Sequence, residues 1–226
     1  MLTILLQNSK LLERSLNLLF QLVLLIIIFV LYTDDIVHAL PVGILVSHVV
    51  HYGLIALADI YEDDYPESNK KYYAYIGMLL YFLGGITFGL FENEFIRLHI
   101  LIVLAGNWLG GKVDTTMWKS LFFIYFSTMI GYELLSFSLF DNGFTMLIYA
   151  SFAIFMISLC ERLSEKNQQA WMLHSSLFFG WALVQGAFYQ EGVLFMLGGL
   201  SYEITKLSMG FATHKSKITE NKLLAA

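Results

Sequence analysis

Two residues of opposite charge lie close together in the apolar run at residues 192–211. Glu203 and Lys206 are three positions apart, so on a helix they share one face and come within reach of an ion pair. Lys206 lies roughly 20 Å from the start of this run, because a helix rises about 1.5 Å per residue. A cation in apolar surroundings is costly and indicates a functional site by default. We therefore predict a Glu203–Lys206 ion pair that a change of protonation can break. The alternative is a lysine that extends to the aqueous interface and pairs only for packing.

A second group of ionisable residues lies in the run at 36–60. His48, His51 and Asp59 follow helical periodicity and share one face. Histidine can relay protons near neutral pH or bind a metal ion, but no nearby carboxylate completes a zinc-binding pattern around this pair. The single cysteine, Cys160, also excludes a site built from several thiolates. We predict no metal site, and the two histidines either form structural hydrogen bonds or line a pathway for a proton or ligand.

Further polar residues fall inside other apolar runs of the sequence. Buried ionisable groups within an apolar layer are typical of ion and proton pathways. Together with the residues above, they could form two polar layers at different depths. The residues predicted to line a pathway for an ion or ligand are Lys206, Glu203, His48, His51, Asn107 and Glu133.

The elements that must hold these side chains follow from the composition. The chain has 226 residues, of which 58% are hydrophobic and 14% are charged. A water-soluble domain has roughly a quarter of its residues charged, and a disordered chain has low hydrophobicity and a high net charge. Both classes are excluded, and the composition predicts an integral membrane protein.

The number of spans follows from the apolar runs. A bilayer core about 30 Å thick needs roughly 20 mostly apolar residues for each spanning helix. Eight such runs occur, joined by short connections, and we predict an all-α bundle in which residues 1–226 form a single transmembrane domain. The predicted spans are about 14–33, 36–60, 72–91, 95–111, 118–139, 143–161, 169–189 and 192–211.

The orientation follows from the basic residues, which are enriched in cytoplasmic loops. Of the 13 lysines and arginines, all except Arg97 and Lys206 fall on one side when eight spans alternate. We therefore predict a multi-pass protein of the cell membrane or an inner membrane, with both termini cytoplasmic. Because these cations form no single patch, they indicate no nucleic-acid partner. The predicted partners are the lipid bilayer and a small solute or proton, with a homo-oligomer or a membrane complex left open.

Around Lys206 the chain resembles the last helix of the microbial (type 1) rhodopsins. That helix has a lysine near its middle, a carboxylate about one turn earlier and small residues after it, and here these are Lys206, Glu203 and Gly210. The family's usual aspartate position is occupied by Tyr202, and Glu203 is displaced by one residue. The loop at 66–74 is similar to the family's first cytoplasmic loop. The resemblance implies retinal as a cofactor, bound to Lys206, and a photoreceptor or a light-driven pump.

A fainter resemblance is to the prepilin-type aspartic peptidases of membranes. Asp59 begins a D-x6-P pattern that ends at Pro66, and Asp114 follows Gly110 and Gly111 in a later loop. The resemblance implies that Asp59 and Asp114 are catalytic, sharing a proton and activating water as aspartic dyads do. The alternative is that both are solvated residues at helix ends.

The sequence therefore favours a transporter, channel or sensor for a small solute or proton over an enzyme. Its motivating feature is the set of ionisable residues in the second and eighth predicted spans. The alternatives are a retinal-binding protein, an aspartic peptidase and a structural subunit of a membrane complex.

Overall fold

The computed structural model of the protein describes most of the chain between residues 42 and 136 and parts of the remainder. Every described residue is helical except those in two short connections, 64–69 and 111–115, and no strand occurs among the described residues. The predicted all-α fold is confirmed for this part of the chain. The described residues are 12, 14–16, 18–23, 25–27, 30, 42–87, 94–136, 151, 154, 155, 157–159 and 197–212.

Four helices are described from end to end: α1 is Val42–Asp63, α2 is Lys70–Thr87, α3 is Glu94–Gly110 and α4 is Thr116–Ser136. They coincide with the second to fifth predicted spans, with ends that differ by several residues. Helical residues also occur between 12 and 30, between 151 and 159, and throughout 197–212. We call the first of these the 12–30 segment and the last the 197–212 helix. The seventh predicted span lies outside the described residues.

Within the described ranges, α1 is the helix long and apolar enough to cross a bilayer, with 22 residues. The apolar helix Ile100–Gly110 is shorter. The protein is therefore an all-helical chain with one candidate membrane span in its described part, and the number of spans stays a prediction.

The connection between α3 and α4 is fixed by capping at both ends. Gly111 has a φ of 90°, a backbone conformation that a side chain disfavours. Its N–H donates to the carbonyl of Trp108 at 3.2 Å, and the N–H of Lys112 donates to the carbonyl of Asn107 at 3.0 Å, which is a Schellman motif. α4 begins after Thr115, whose Oγ1 accepts a hydrogen bond from a first-turn N–H at 3.2 Å. The turn between these two helices is therefore specified by local sequence.

Contacts divide the chain into two compact units. The first comprises residues 1–81 and 185–226, and the second comprises residues 82–184. α1 and the 197–212 helix belong to the first unit, α3 and α4 belong to the second, and the boundary falls within α2.

The second unit has an apolar and aromatic core. Ile102 of α3 is buried beside Ile157, and the rings of Phe82 and Tyr125 stack with centroids 3.8 Å apart. Gly106 permits the close approach of helices here, because a Cβ at that position would lie 2.5 Å from Cγ2 of Ile157. Small residues at contact points are typical of helix packing in membranes.

Candidate functional site

In the first unit, Lys206 forms an ion pair with a residue of another helix. Its Nζ donates to Oδ2 of Asp59 in α1. The Lys206 side chain is 12% exposed and that of Asp59 is 30% exposed, so the pair is largely removed from the surface. The structure thus joins the second and eighth predicted spans through opposite charges.

Tyr202 completes the surroundings of this ion pair. Its hydroxyl donates to the same carboxylate oxygen of Asp59 at 2.6 Å. The Lys206 ammonium also lies 4.9 Å from the centre of the Tyr202 ring, within the range of a cation–π interaction. Asp59 therefore accepts hydrogen bonds from two side chains of the 197–212 helix.

A second ion pair ties the 12–30 segment to the same helix. Nη1 of Arg14 donates to Oε2 of Glu203 at 3.3 Å, with the two side chains 34% and 15% exposed. Glu203 and Lys206 occupy neighbouring turns, so two ion pairs stand side by side on one helix. We call Arg14, Asp59, Tyr202, Glu203 and Lys206 the charged cluster.

This arrangement differs from the prediction that Glu203 is the partner of Lys206. In the structure the acid beside Lys206 is Asp59, and the base beside Glu203 is Arg14. The physical reason is that α1 packs closely against the 197–212 helix at Gly53 and Gly198, which brings the Asp59 carboxylate to Lys206. The cluster contains two cations and two carboxylates, so its net charge is zero when all four are ionised. Removal of the Asp59 carboxylate would leave the Lys206 ammonium, only 12% exposed, without this counter-ion, which is destabilising for a buried charge.

Small residues bring α1 and the 197–212 helix together. A Cβ on Gly53 would lie 3.3 Å from Oγ of Ser201, and a Cβ on Gly198 would lie 2.9 Å from the ring of Tyr52. Oγ of Ser201 donates to the α1 carbonyl of Val49 at 2.6 Å. The backbones of the two helices therefore approach each other closely, which allows hydrogen bonds between the helices.

The order of the contacts gives the relative direction of these two helices. Positions 48 and 52 meet position 198, position 53 meets 201 and 205, and position 59 meets 202 and 206. The residue numbers of the contacts increase together along both helices, so the two helices run parallel.

The two histidines of α1 lie in different environments. His48 is 4% exposed, and its Nε2 lies 3.0 Å from where a Cβ on Gly198 would be. His51 is half-buried, with its ring edge-on to that of Tyr52 at 5.8 Å between centroids. His48 thus faces the same helix as Asp59 does, about three turns earlier along α1.

The remaining predicted residues belong to the second unit. Asn107 is half-buried in α3, and its carbonyl caps that helix. Glu133 lies in α4, and its side chain is outside the described part. Asp114 is exposed, and its Oδ1 accepts a hydrogen bond from the N–H of Thr115 at 2.8 Å in the turn before α4. A helix-end role thus accounts for Asp114.

Sequence reasoning missed two residues of the first unit. Arg14 was used only as one of the basic residues that predict the cytoplasmic side, although its position at the start of an apolar run indicated that it could reach an acidic residue of another span. Gln21 was not singled out, although it is the one amide in the otherwise apolar run 18–31. In the structure Gln21 is fully buried.

No group of three or more histidine, cysteine, aspartate or glutamate side chains that could hold a metal ion occurs among the described residues. Comparison with protein-family models, with curated proteins and with solved structures finds no match.

Proposed function

We propose that this chain is a multi-pass membrane protein that moves or senses a proton or a small solute through the charged cluster. The observation that carries the proposal is the Lys206–Asp59 ion pair between two helices. Ionisable residues within membrane spans are rare, pair with one another and are typical of substrate or proton pathways.

Exposure on the 12–30 segment supports placement in a membrane. Leu19, Ile26 and Val30 are 58%, 60% and 74% exposed, whereas Gln21 is fully buried and Arg14 turns toward Glu203. Large apolar side chains on the outside with polar ones inside reverse the pattern of a soluble protein. Lipid is the solvent that favours this arrangement.

The parallel direction of α1 and the 197–212 helix supports the proposed topology. If both cross the bilayer in one direction, the intervening chain must return across it an odd number of times. The predicted spans between them number five, as this requires. In this topology the charged cluster lies toward the cytoplasmic side, where the second and eighth spans end.

Protonation of Asp59 is the proposed switch. A proton from the cytoplasmic side neutralises the Asp59 carboxylate, and the Lys206 ammonium loses its counter-ion. Glu203 lies three residues earlier on the same helix, within reach of Lys206. Arg14, the most exposed member of the two ion pairs, then leaves Glu203 for water. This exchange of ion-pair partners changes the contacts between the 12–30 segment, α1 and the 197–212 helix. Local changes of charge alter packing in other protein switches in the same way.

The test is proton flux into vesicles that contain the purified protein and a pH-sensitive dye. We expect Lys206→Ala and Asp59→Asn to lower the flux by about tenfold or more, because each removes one half of the switch. Lys70→Ala and Glu67→Gln are the matched controls, since both residues are exposed and outside the charged cluster. Full flux in both cluster variants would contradict the proposal. Loss of function only when another protein is withheld would instead identify a structural subunit.

Retinal binding is the second candidate, favoured by one observation. Lys206 has a carboxylate of another helix and a tyrosine hydroxyl beside it, and a positively charged retinal adduct needs such a counter-ion. Lys206 would hold the cofactor and Asp59 would be its counter-ion. Purification with added retinal should then give a visible absorbance band that is absent from Lys206→Met. Absence of any band in the parent protein would remove this candidate.

A further inference from the structure

Two exposed aromatic rings lie in the second unit, where the connection 111–115 joins α3 to α4. Trp108, in the last turn of α3, is 39% exposed, and Phe123 of α4 is 55% exposed. The two ring centroids are 5.6 Å apart in an edge-on arrangement. The buried ring of Phe122 lies against both, with its centroid 4.6 Å from that of Trp108 and 5.6 Å from that of Phe123. The two rings are therefore positioned by packing and form an apolar patch on the outside of the protein.

Two lysines lie beside these rings. Lys119 is exposed and precedes Phe123 by four residues, so the two side chains share one face of α4 and are about 6 Å apart along its axis. Lys112 is exposed within the connection itself, just beyond the end of the helix that carries Trp108. We call Trp108, Lys112, Lys119 and Phe123 the 108–123 surface. It combines two cations near the connection with two apolar rings farther along the helices.

The charge around this surface differs from that around the connection between α1 and α2. Both connections lie on the predicted cytoplasmic side, and both have an exposed aromatic side chain nearby, since Tyr73 of α2 is 74% exposed. Residues 111–119 carry two lysines and one carboxylate, that of Asp114, which gives a net charge of +1. Residues 62–71 carry two lysines and four carboxylates, which gives −2. An anion is therefore attracted to the 108–123 surface and repelled by the other connection.

A molecule with an anionic head and an apolar tail matches both halves of the 108–123 surface. Lysine side chains can reach a phosphate while their stems cover apolar surface, and tryptophan is typical of the boundary between lipid headgroups and tails. The cytoplasmic leaflet contains anionic lipids, which attract basic side chains at its surface. A soluble anion such as inorganic phosphate would contact the lysines alone and leave the rings exposed. Charge complementarity and the exposed rings together favour a phospholipid.

We propose that the 108–123 surface binds an anionic phospholipid of the cytoplasmic leaflet. The phosphate contacts the ammonium groups of Lys119 and Lys112, and an acyl chain lies across the rings of Trp108 and Phe123. The inference rests on the membrane placement and orientation in the proposed function, and it does not depend on proton movement.

Quenching by brominated lipids tests the contact at Trp108. The other three tryptophans are replaced by the substitutions Trp118→Phe, Trp171→Phe and Trp181→Phe, and the protein is reconstituted in phosphatidylcholine vesicles. Increasing fractions of phosphatidylglycerol or phosphatidylcholine with brominated acyl chains are then added. We expect the brominated phosphatidylglycerol to reach half-maximal quenching at about one-fifth of the mole fraction, which is the effect of about one net basic charge near an anionic lipid. Equal quenching by the two lipids, or quenching by neither, would overturn the proposal.

Substitution of the lysines tests the headgroup contact. The double variant Lys112→Ala, Lys119→Ala should lose the preference, so that both brominated lipids quench Trp108 equally. Lys70→Ala is the matched control, because Lys70 is exposed on the same predicted side but lies among carboxylates. It should keep the fivefold preference. A preference that persists in the double variant, or that disappears in the control as well, would contradict a site at the 108–123 surface.

A second measurement needs no change of tryptophans. In detergent, phosphatidylglycerol should raise the Tm of the parent protein more than phosphatidylcholine with the same acyl chains does, because a lipid that binds only the folded form stabilises it. The double lysine variant should lose this difference, and an equal response of parent and variant would overturn the proposal. Flotation of the protein with vesicles measures its membrane placement separately. A protein that floats and prefers phosphatidylglycerol but shows no proton flux would refute the proposed function and leave the lipid site standing.

Discussion

Asp59 is the residue at which the interactions of the cluster converge. One of its carboxylate oxygens, Oδ2, accepts hydrogen bonds from both the Lys206 ammonium and the Tyr202 hydroxyl. A hydrogen bond to a charged group contributes about 1.5–3 kcal/mol, more than one between neutral groups. The Tyr202 hydroxyl therefore strengthens the attachment of the 197–212 helix to α1.

Removal of the Tyr202 hydroxyl tests this role. We expect Tyr202→Phe to destabilise the protein by about 2 kcal/mol, which for a chain of this size lowers Tm by roughly 4–8 °C. Tyr73→Phe is the matched control, because Tyr73 is 74% exposed. Thermal unfolding in detergent compares the two, and an equal Tm for both variants would show that the hydroxyl contributes nothing.

At the residue scale, the sequence identified Lys206 and Glu203 but not their partners. A lysine within an apolar run was sufficient to identify position 206 as a candidate site, because charged residues are rare in such runs. The only partner visible from sequence was Glu203, three residues away. Asp59 is separated from Lys206 by 147 positions and Arg14 from Glu203 by 189, and no local pattern predicts contacts of that range.

At the element scale, the pairing of α1 with the 197–212 helix depends on small residues. Gly53 and Gly198 allow an approach that side chains would prevent, and this approach brings position 59 to position 206. The apolar runs predicted the helices themselves, since each needs only a local stretch of apolar residues. Which helices pack against each other depends on the shapes of their surfaces. The lengths of the apolar runs do not predict those shapes.

Substitution of Gly198 tests this packing. A methyl group there would lie 2.9 Å from Tyr52 and 3.0 Å from His48, so we expect Gly198→Ala to destabilise the protein by about 1–3 kcal/mol. Gly131→Ala is the control, because nothing lies within 4 Å of that Cβ and alanine favours a helix by up to about 1 kcal/mol. Unfolding in detergent measures both. A Gly198→Ala protein as stable as the control variant would be inconsistent with close packing of the two helices.

At the scale of the whole molecule, the account depends on topology. The structure shows an all-helical chain with one clear candidate span in its described part, and the count of eight comes from run lengths and the distribution of basic residues. The parallel helices are consistent with that count but require only an odd number of crossings between them.

Cysteine accessibility determines the topology. In a Cys160→Ser background, we expect a membrane-impermeant maleimide to label Asp141→Cys in intact cells. Ser68→Cys and Asp114→Cys should be labelled only after the cells are opened, because basic residues flank both connections. Labelling of Ser68→Cys in intact cells would reverse the orientation, and opposite results for Ser68→Cys and Asp114→Cys would contradict eight alternating spans.

The central claim is that a cation of the 197–212 helix is held by an anion of α1. Exchange of the two charges tests it most directly, by comparing the Tm and proton flux of Asp59→Lys, Lys206→Asp and the double variant that carries both. Each single variant places two like charges together, so we predict a large loss in both measurements, and the double variant should recover a substantial part of it. Single variants that match the parent, or a double variant whose losses are the sum of the two, would show that these side chains do not interact.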